Sequence, residues 1–196
     1  MIPTLSEIEQ LHRKYAPSEA AFQLVYTHCQ IIWAIAEQLL ESHPELAIDR
    51  ALVQAGCLLH DIGTYSLYTD GTFDKELYIT HGIRGYELMK AEGLEERLCR
   101  IASHHTGVGL TKDDIAQQGL PLPREDFMAE TIEERLVMYA DKFHSKTPKF
   151  NSYEAYARRV QTFGEGHLES FQVLRDEFGL PDLKPLSAKY GHKIQE

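Results

Sequence analysis

Apolar residues recur at helical spacing along almost the whole chain. Leu5, Ile8 and Leu11 predict a short first helix, ended at Ala16-Pro17 because the residue before a proline is pushed out of helical geometry. Ser18 is a candidate N-cap for a second helix, in which Leu24, Val25, His28, Ile31, Ile32 and Ile35 form one stripe up to His43-Pro44. A third helix is expected from about Ile48, carrying Leu52, Ala55, Leu58 and Leu59 into Gly63. A fourth runs from about His81 to Ala91 and a fifth from Leu94 to His105, apolar at Leu98, Ile101 and Ala102. Thr131-x-x-Glu134 resembles a capping box for a sixth helix, continuing through Leu136, Val137, Ala140 and Asp141. Ser152 to Phe178 supplies one or two more, interrupted around Gly164-Glu165-Gly166.

Two stretches lack a period. Tyr65 to Ile79, with Gly71 and several tyrosines, is expected to be a loop with at most a short helical turn. Thr106 to Glu130 holds Gly107, Gly109 and the run Gly119-Leu-Pro-Leu-Pro123; connections of that length are usually functional or ordered by something else. From Pro181 the chain is polar and is expected to drape over the body. No segment alternates convincingly as a strand. The expected fold is all-α, a compact single-domain helical bundle, with residues 1–19 as an N-terminal helical extension, 20–150 as the core and 151–196 as a C-terminal helical extension and tail.

Composition changes this picture little. The 196 residues suffice for one domain with a real core. A net charge of -10 argues against duplex nucleic acid or an anionic membrane as partner, since both need clustered positive charge. A small anionic ligand stays open, because a metal centre can supply positive charge locally. Cys29, Cys57 and Cys99 are odd in number and contain no CxxC pair, which reads as buried, reduced thiols. The N-terminus, MIPTLSEIEQ, lacks a signal-peptide pattern, and no apolar run approaches the length of a membrane span, so the cytoplasm is the expected location.

The ten histidines change it more. His28 falls inside the apolar stripe of the second helix. His105 stands at i+3 from Ala102 and i+7 from Leu98, and Asp141 at i+4 from Val137. His60-Asp61 ends the apolar helix Ala51–Leu59. Taken alone, an inward histidine is most often a satisfied core residue, and a His-Asp dipeptide is common by chance. Several inward imidazoles and carboxylates on separate helices are harder to dismiss, because a buried carboxylate is costly unless paired or bound to a cation. Imidazole and carboxylate without thiolate suit manganese, iron, cobalt, nickel or zinc. Four histidines and two aspartates suffice for two such metals if one carboxylate bridges. His12, His43, His167 and His192 show no such pattern and are expected at the surface. His144, three residues after Asp141, is a candidate neighbour of the ligands.

At Leu58-Leu-His-Asp-Ile-Gly63, with His28 upstream and Ala140-Asp-Lys142 downstream, the chain resembles the HD superfamily of metal-dependent phosphohydrolases over roughly residues 20 to 146. Thr80-His81-Gly82, followed by Gly85, and Ser103-His-His-Thr-Gly-Val-Gly109 are similar to the subgroup with the pattern H…HD…H…H…D, which generally holds two metals, commonly iron or manganese. The resemblance implies an HD-type bundle with one metal on His28, His60, Asp61 and Asp141. It implies a second on His81, His105 and the other oxygen of Asp61, with His104 as second choice for His105. The implied reaction is cleavage of a phosphate ester or anhydride, on a nucleotide or another small phosphorylated metabolite, by a metal-bound hydroxide. The alternatives are an HD-type di-iron oxygenase, which shares the ligand set, and a regulatory metal-binding module. Arg84 and Lys142 are candidate phosphate contacts, as is the backbone of Thr106-Gly107-Val108-Gly109. Thr64 stands where many nucleotide-cleaving relatives have lysine. Tyr65, Tyr68, Tyr78 and the 106–130 segment are expected to wall the pocket.

Overall fold

The computed structural model describes residues 2–196. Among them are ten α-helices: α1 (Leu5–Tyr15), α2 (Glu19–Ser42), α3 (Arg50–Leu59), α4 (His81–Ala91), α5 (Glu96–His104), α6 (Lys112–Gln118), α7 (Ile132–Asp141), α8 (Tyr153–Gln161), α9 (Glu165–Phe178) and α10 (Leu183–Tyr190). The five strands are two or three residues long: β1 (Tyr68–Thr69), β2 (Thr72–Phe73), β3 (His144–Ser145), β4 (Lys149–Asn151) and β5 (Lys193–Gln195). The fold is therefore the expected helical one. No helix is long and apolar enough to cross a membrane among the described residues.

The caps explain the helix starts. The Ser18 side chain accepts from the Ala21 amide, and Thr131 with Glu134 forms the reciprocal box that opens α7. The third helix starts at Arg50 because Asp49 caps it, accepting from the Leu52 amide at 3.1 Å. It is buried almost all round and is the central rod of the bundle, packed by α2, α5 and α7. Leu24, read as part of the inward stripe, is exposed; the buried face of α2 runs instead through Val25, His28, Cys29, Ile32 and Ala36. All three cysteines are buried and free.

Two glycines let backbones close on the future site. A Cβ on Gly56 would lie 2.6 Å from Ile101, so its absence brings α3 and α5 together. A Cβ on Gly63 would lie 2.1 Å from the His81 carbonyl oxygen and 2.3 Å from the Gly85 amide nitrogen. Only glycine there allows the turn after His60-Asp61 to sit on the first turn of α4.

The aperiodic segments hold more order than their patterns suggested. Ile62–Leu67 and Tyr78–Thr80 are 3-10 helices, and between them Asp70-Gly71, both with positive φ, closes the β1–β2 hairpin. The 106–130 segment contains α6, capped by Thr111 and Asp114. Residues beyond Pro181 do not drape loosely. Leu183 and Leu186 are buried, Gly191 ends α10 in the left-handed conformation, and β5 pairs in parallel with β4, itself antiparallel to β3. Such short elements leave no periodic trace in a sequence.

His12, expected at the surface, is fully buried. One ring nitrogen lies 2.7 Å from the Leu58 carbonyl and the other 2.8 Å from the Tyr65 hydroxyl. The carbonyls in the last turn of a helix lack intrahelical partners, and His12 supplies one for α3. Burial pushes its pKa down to about 4.

Candidate metal centre

Five of the six candidate ligands sit at helix ends. His60 is the C-cap of α3, Asp61 follows it, His81 opens α4, His105 follows α5 and Asp141 closes α7. His28 alone lies mid-helix, in α2. The helix ends aim the rings. His60 Nδ1 is 2.8 Å from the Cys57 carbonyl, His81 Nδ1 2.6 Å from that of Tyr78, and His105 Nδ1 2.7 Å from that of Ala102. A carbonyl only accepts, so each Nδ1 carries the hydrogen and each Nε2 of a neutral ring is a bare lone pair.

Those Nε2 atoms converge on Asp61 from two sides. Around Oδ2 lie His28 Nε2 at 3.2 Å and His60 Nε2 at 3.4 Å, with Asp141 Oδ1 3.1 Å from His28 and 3.4 Å from His60. Around Oδ1 lie His81 Nε2 at 3.3 Å and His105 Nε2 at 3.7 Å. Within each nest the ligand atoms all fall within 4.8 Å of one another. The structure thus brings together all six residues read from the sequence.

The donor set fits divalent cations. His60 Nε2 and both Asp61 oxygens are buried without a hydrogen bond, although ion-pair distances surround them. His81 and His105 bring Nε2 atoms within 3.0 Å of each other while both Nδ1 atoms donate elsewhere, so two lone pairs face each other. Converging acceptors of this kind call for a shared positive charge. The surrounding charges also shift the titration of these groups. Burial alone would raise Asp61 and Asp141. The Lys146 ammonium and the His60 imidazole hold Asp61 well below the usual carboxylate range, and Lys142, with His28 and His60, does so for Asp141. Burial would lower His60, yet Asp61 and its other neighbours raise it well above the usual imidazole value.

His104 points away from this cluster. Its Nδ1 lies 3.0 Å from the Arg100 carbonyl and its ring meets Phe127 edge-on. Lys142 is buried and gives its ammonium to Asp141 Oδ2 at 2.8 Å and to the His105 carbonyl at 2.9 Å, tying two ligand-bearing elements together. Arg84 does not line the cavity beside the cluster; Thr80 Oγ1 and the Ser66 carbonyl hold its guanidinium.

Lys146 was missed in the sequence. It reaches from the β3–β4 turn to contact Asp61 Oδ2 and donates to the Tyr78 hydroxyl at 2.6 Å. It lies beyond the end of α7, where helical phase carries no information. His144 is buried, its Nδ1 2.9 Å from His28 Nδ1 and its Nε2 2.9 Å from His192 Nδ1. Burial pushes its pKa down to about 2, so the ring is neutral. His192 is therefore no isolated surface histidine. His43 is partly exposed beside Glu45, and His167, partly buried, reaches Asp114 at 3.4 Å.

Five of the six clustered residues, all but His60, line a cavity of about 360 Å³. Leu110, Leu120 and Phe163 contribute apolar lining, and Asn151, Arg159 and His167 polar lining. Tyr78 lines it and stacks on His81 with ring centroids 4.5 Å apart. Tyr65 and Tyr68, expected in the wall, are elsewhere: Tyr65 is held by His12, and Tyr68 packs on Phe73. The 106–130 segment contributes Thr106, Gly107, Gly109 and Gln118 besides the two leucines.

Known proteins resemble this chain in sequence and in fold. The chain is 37% identical to a Picrophilus torridus protein named tRNA (cytidine(56)-2'-O)-methyltransferase, over 65% of this chain but only 33% of that protein. It is 31% identical to an uncharacterised protein of Methanocaldococcus jannaschii, over 78% of this chain and 86% of the other. In structure it is similar to the HD domain of the L. monocytogenes phosphodiesterase PgpH, solved in complex with cyclic-di-AMP. The TM-score is 0.56 at 16% identity, covering 97% of this chain and all of that one, which speaks to the fold. The HD domain profile matches residues 25–146, the stretch that carries all six clustered residues, and the chain belongs to the HD domain family.

Proposed function

We propose that this chain is a metal-dependent phosphohydrolase. His28, His60, Asp61 and Asp141 hold one divalent transition metal, and His81, His105 and the second oxygen of Asp61 hold another, iron or manganese foremost. The observation that carries this reading is the placement of the two Asp61 oxygens. Each faces its own nest of bare imidazole nitrogens, and both nests open onto one ligand-sized cavity. When bound, two such cations would lower the pKa of water toward neutrality and offset the charge of phosphoryl oxygens.

The remaining work falls to the chain. Lys142 fixes the Asp141 carboxylate through its ammonium. Lys146 answers the charge of Asp61 and lines the cavity; with a cation held at that oxygen its ammonium would be available as a donor to a substrate anion. Arg159 offers a second cationic contact, and Leu110, Leu120 and Phe163 receive the organic part of the substrate. That mixture suits a nucleotide or another small phosphorylated metabolite. The nucleotide bound by a protein of the same fold, cyclic-di-AMP, supports the first of these.

A panel of nucleotides and sugar phosphates, incubated with the manganese-loaded and the iron-loaded chain inside and outside an anaerobic chamber, tests the reading by phosphate release. Release is expected to be equal in both atmospheres and abolished by chelation. Turnover that needs dioxygen and iron contradicts it.

A further inference from the structure

We infer that the C-terminal strand is a working part of the metal centre, because His144 and His192 form a hydrogen-bonded chain that sets the ring of His28. This rests on the metal-site reading above and adds two positioning residues to it. Three of the four clustered histidines have Nδ1 fixed by a main-chain carbonyl three residues earlier in sequence. His28 has none, since mid-helix carbonyls are already committed to the helix ladder. Its Nδ1 meets His144 Nδ1 instead, at 2.9 Å, and His144 Nε2 meets His192 Nδ1 at 2.9 Å. Ring centroids are 5.2 Å apart at both steps, with interplanar angles of 25° and 15°.

The chemistry gives this chain a direction. With its Nε2 lone pair toward a cation, His28 must carry its hydrogen on Nδ1 and donate to His144 Nδ1. His144 then holds its own hydrogen on Nε2 and donates to His192 Nδ1, which leaves His192 protonated on Nε2. One cation therefore selects the tautomers of three rings. Removing the last ring takes away what holds His144 in the accepting form.

Local structure delivers each ring. His144 pairs with Phe150 in the β3–β4 hairpin. His192 follows Gly191, whose φ of 69° turns the chain out of α10, and its carbonyl accepts from Ser187 Oγ at 2.6 Å. Beyond it Ile194 pairs with Phe150, so the same strand carries both attachments. Binding is reciprocal: a strand that favours metal is in turn held by metal.

Manganese binding by calorimetry, with amide hydrogen exchange of residues 191–195, tests the inference. His192→Ala is expected to weaken one of the two binding steps roughly tenfold and leave the other unmoved. His192→Asn, whose side-chain oxygen takes the place of the accepting Nδ1, is expected to restore most of that loss. Exchange across 191–195 is expected to slow on metal addition in the wild type and in His192→Asn, but not in His192→Ala. Unchanged affinity in His192→Ala, equal weakening of both steps, no rescue by asparagine, or exchange indifferent to metal each overturns the inference while leaving the metal site standing. A wild-type chain that binds no manganese overturns both.

Discussion

Asp61 is the side chain on which the two nests meet, with one oxygen in each. Asp61→Ala therefore leaves neither nest whole, and two dications would face each other with one fewer negative charge between them. His81→Ala removes a donor from one nest only. Elemental analysis of the two purified variants is expected to find far less metal in Asp61→Ala, with helical content kept in both; equal occupancy would mean that Asp61 serves a single metal. Lys146 calls for a different experiment, since the role proposed for its ammonium is contact with substrate rather than with metal. Lys146→Met should keep the metal content of the wild type. Losing a charge-assisted hydrogen bond of about 1.5–3 kcal/mol should raise KM by about ten- to a hundredfold, with a smaller fall in kcat. A variant with normal KM would place the lysine outside the substrate contacts. At this scale the sequence was informative where a residue stood in helical phase, as His28, His105 and Asp141 do. It was silent on Lys146 and His192, which reach the site through a turn and a short strand.

Helix ends, rather than helix faces, build most of the centre. Where a helix stops, the side chain of its last residue can turn back to a carbonyl three positions earlier, and His60 and His105 do so; His81, at the head of α4, does the same to the turn before it. The junction after Asp61 depends on Gly63, against which the α4 backbone lies. Gly63→Ala forces a methyl group into the His81 carbonyl and is expected to cost about 3 kcal/mol, the upper end of ordinary overpacking. Metal should be lost first from the nest that contains His81. Chemical denaturation beside metal analysis checks both, and a fully stable variant with two metals would contradict the packing account. Caps made the helices readable: Ser18, Thr131 and Glu134 announced their starts, and α4 has the expected bounds. The β1–β2 hairpin carried its own signal in Asp70-Gly71, but two-residue strands are too short to alternate.

Across the whole molecule, segments outside the family match close the centre from both ends of the chain. In α1, His12 reaches the end of α3, two residues before His60, and β5 reaches His144 through His192. His12 should also mark stability. In the unfolded chain it takes up a proton near its ordinary value of 6.5, in the folded chain only near 4. Between those values the unfolded chain binds more protons, so stability falls as pH drops through that window, by up to about 3 kcal/mol from this residue. Denaturation of metal-free wild type and His12→Gln from pH 7 to 4 should give a shallower loss in the variant; parallel curves would contradict the assignment. The docking of these outer segments was not legible, because a lone histidine such as His12 or His192 has no periodicity to betray what it touches.

The claim on which the rest depends is that one chain holds two metals. Elemental analysis of protein purified without oxygen or chelator, alongside a sample stripped and reloaded with manganese, measures it directly. About two equivalents per chain are expected in both, from the two nests around Asp61. A chain that carries no transition metal and takes up none after stripping would contradict the account.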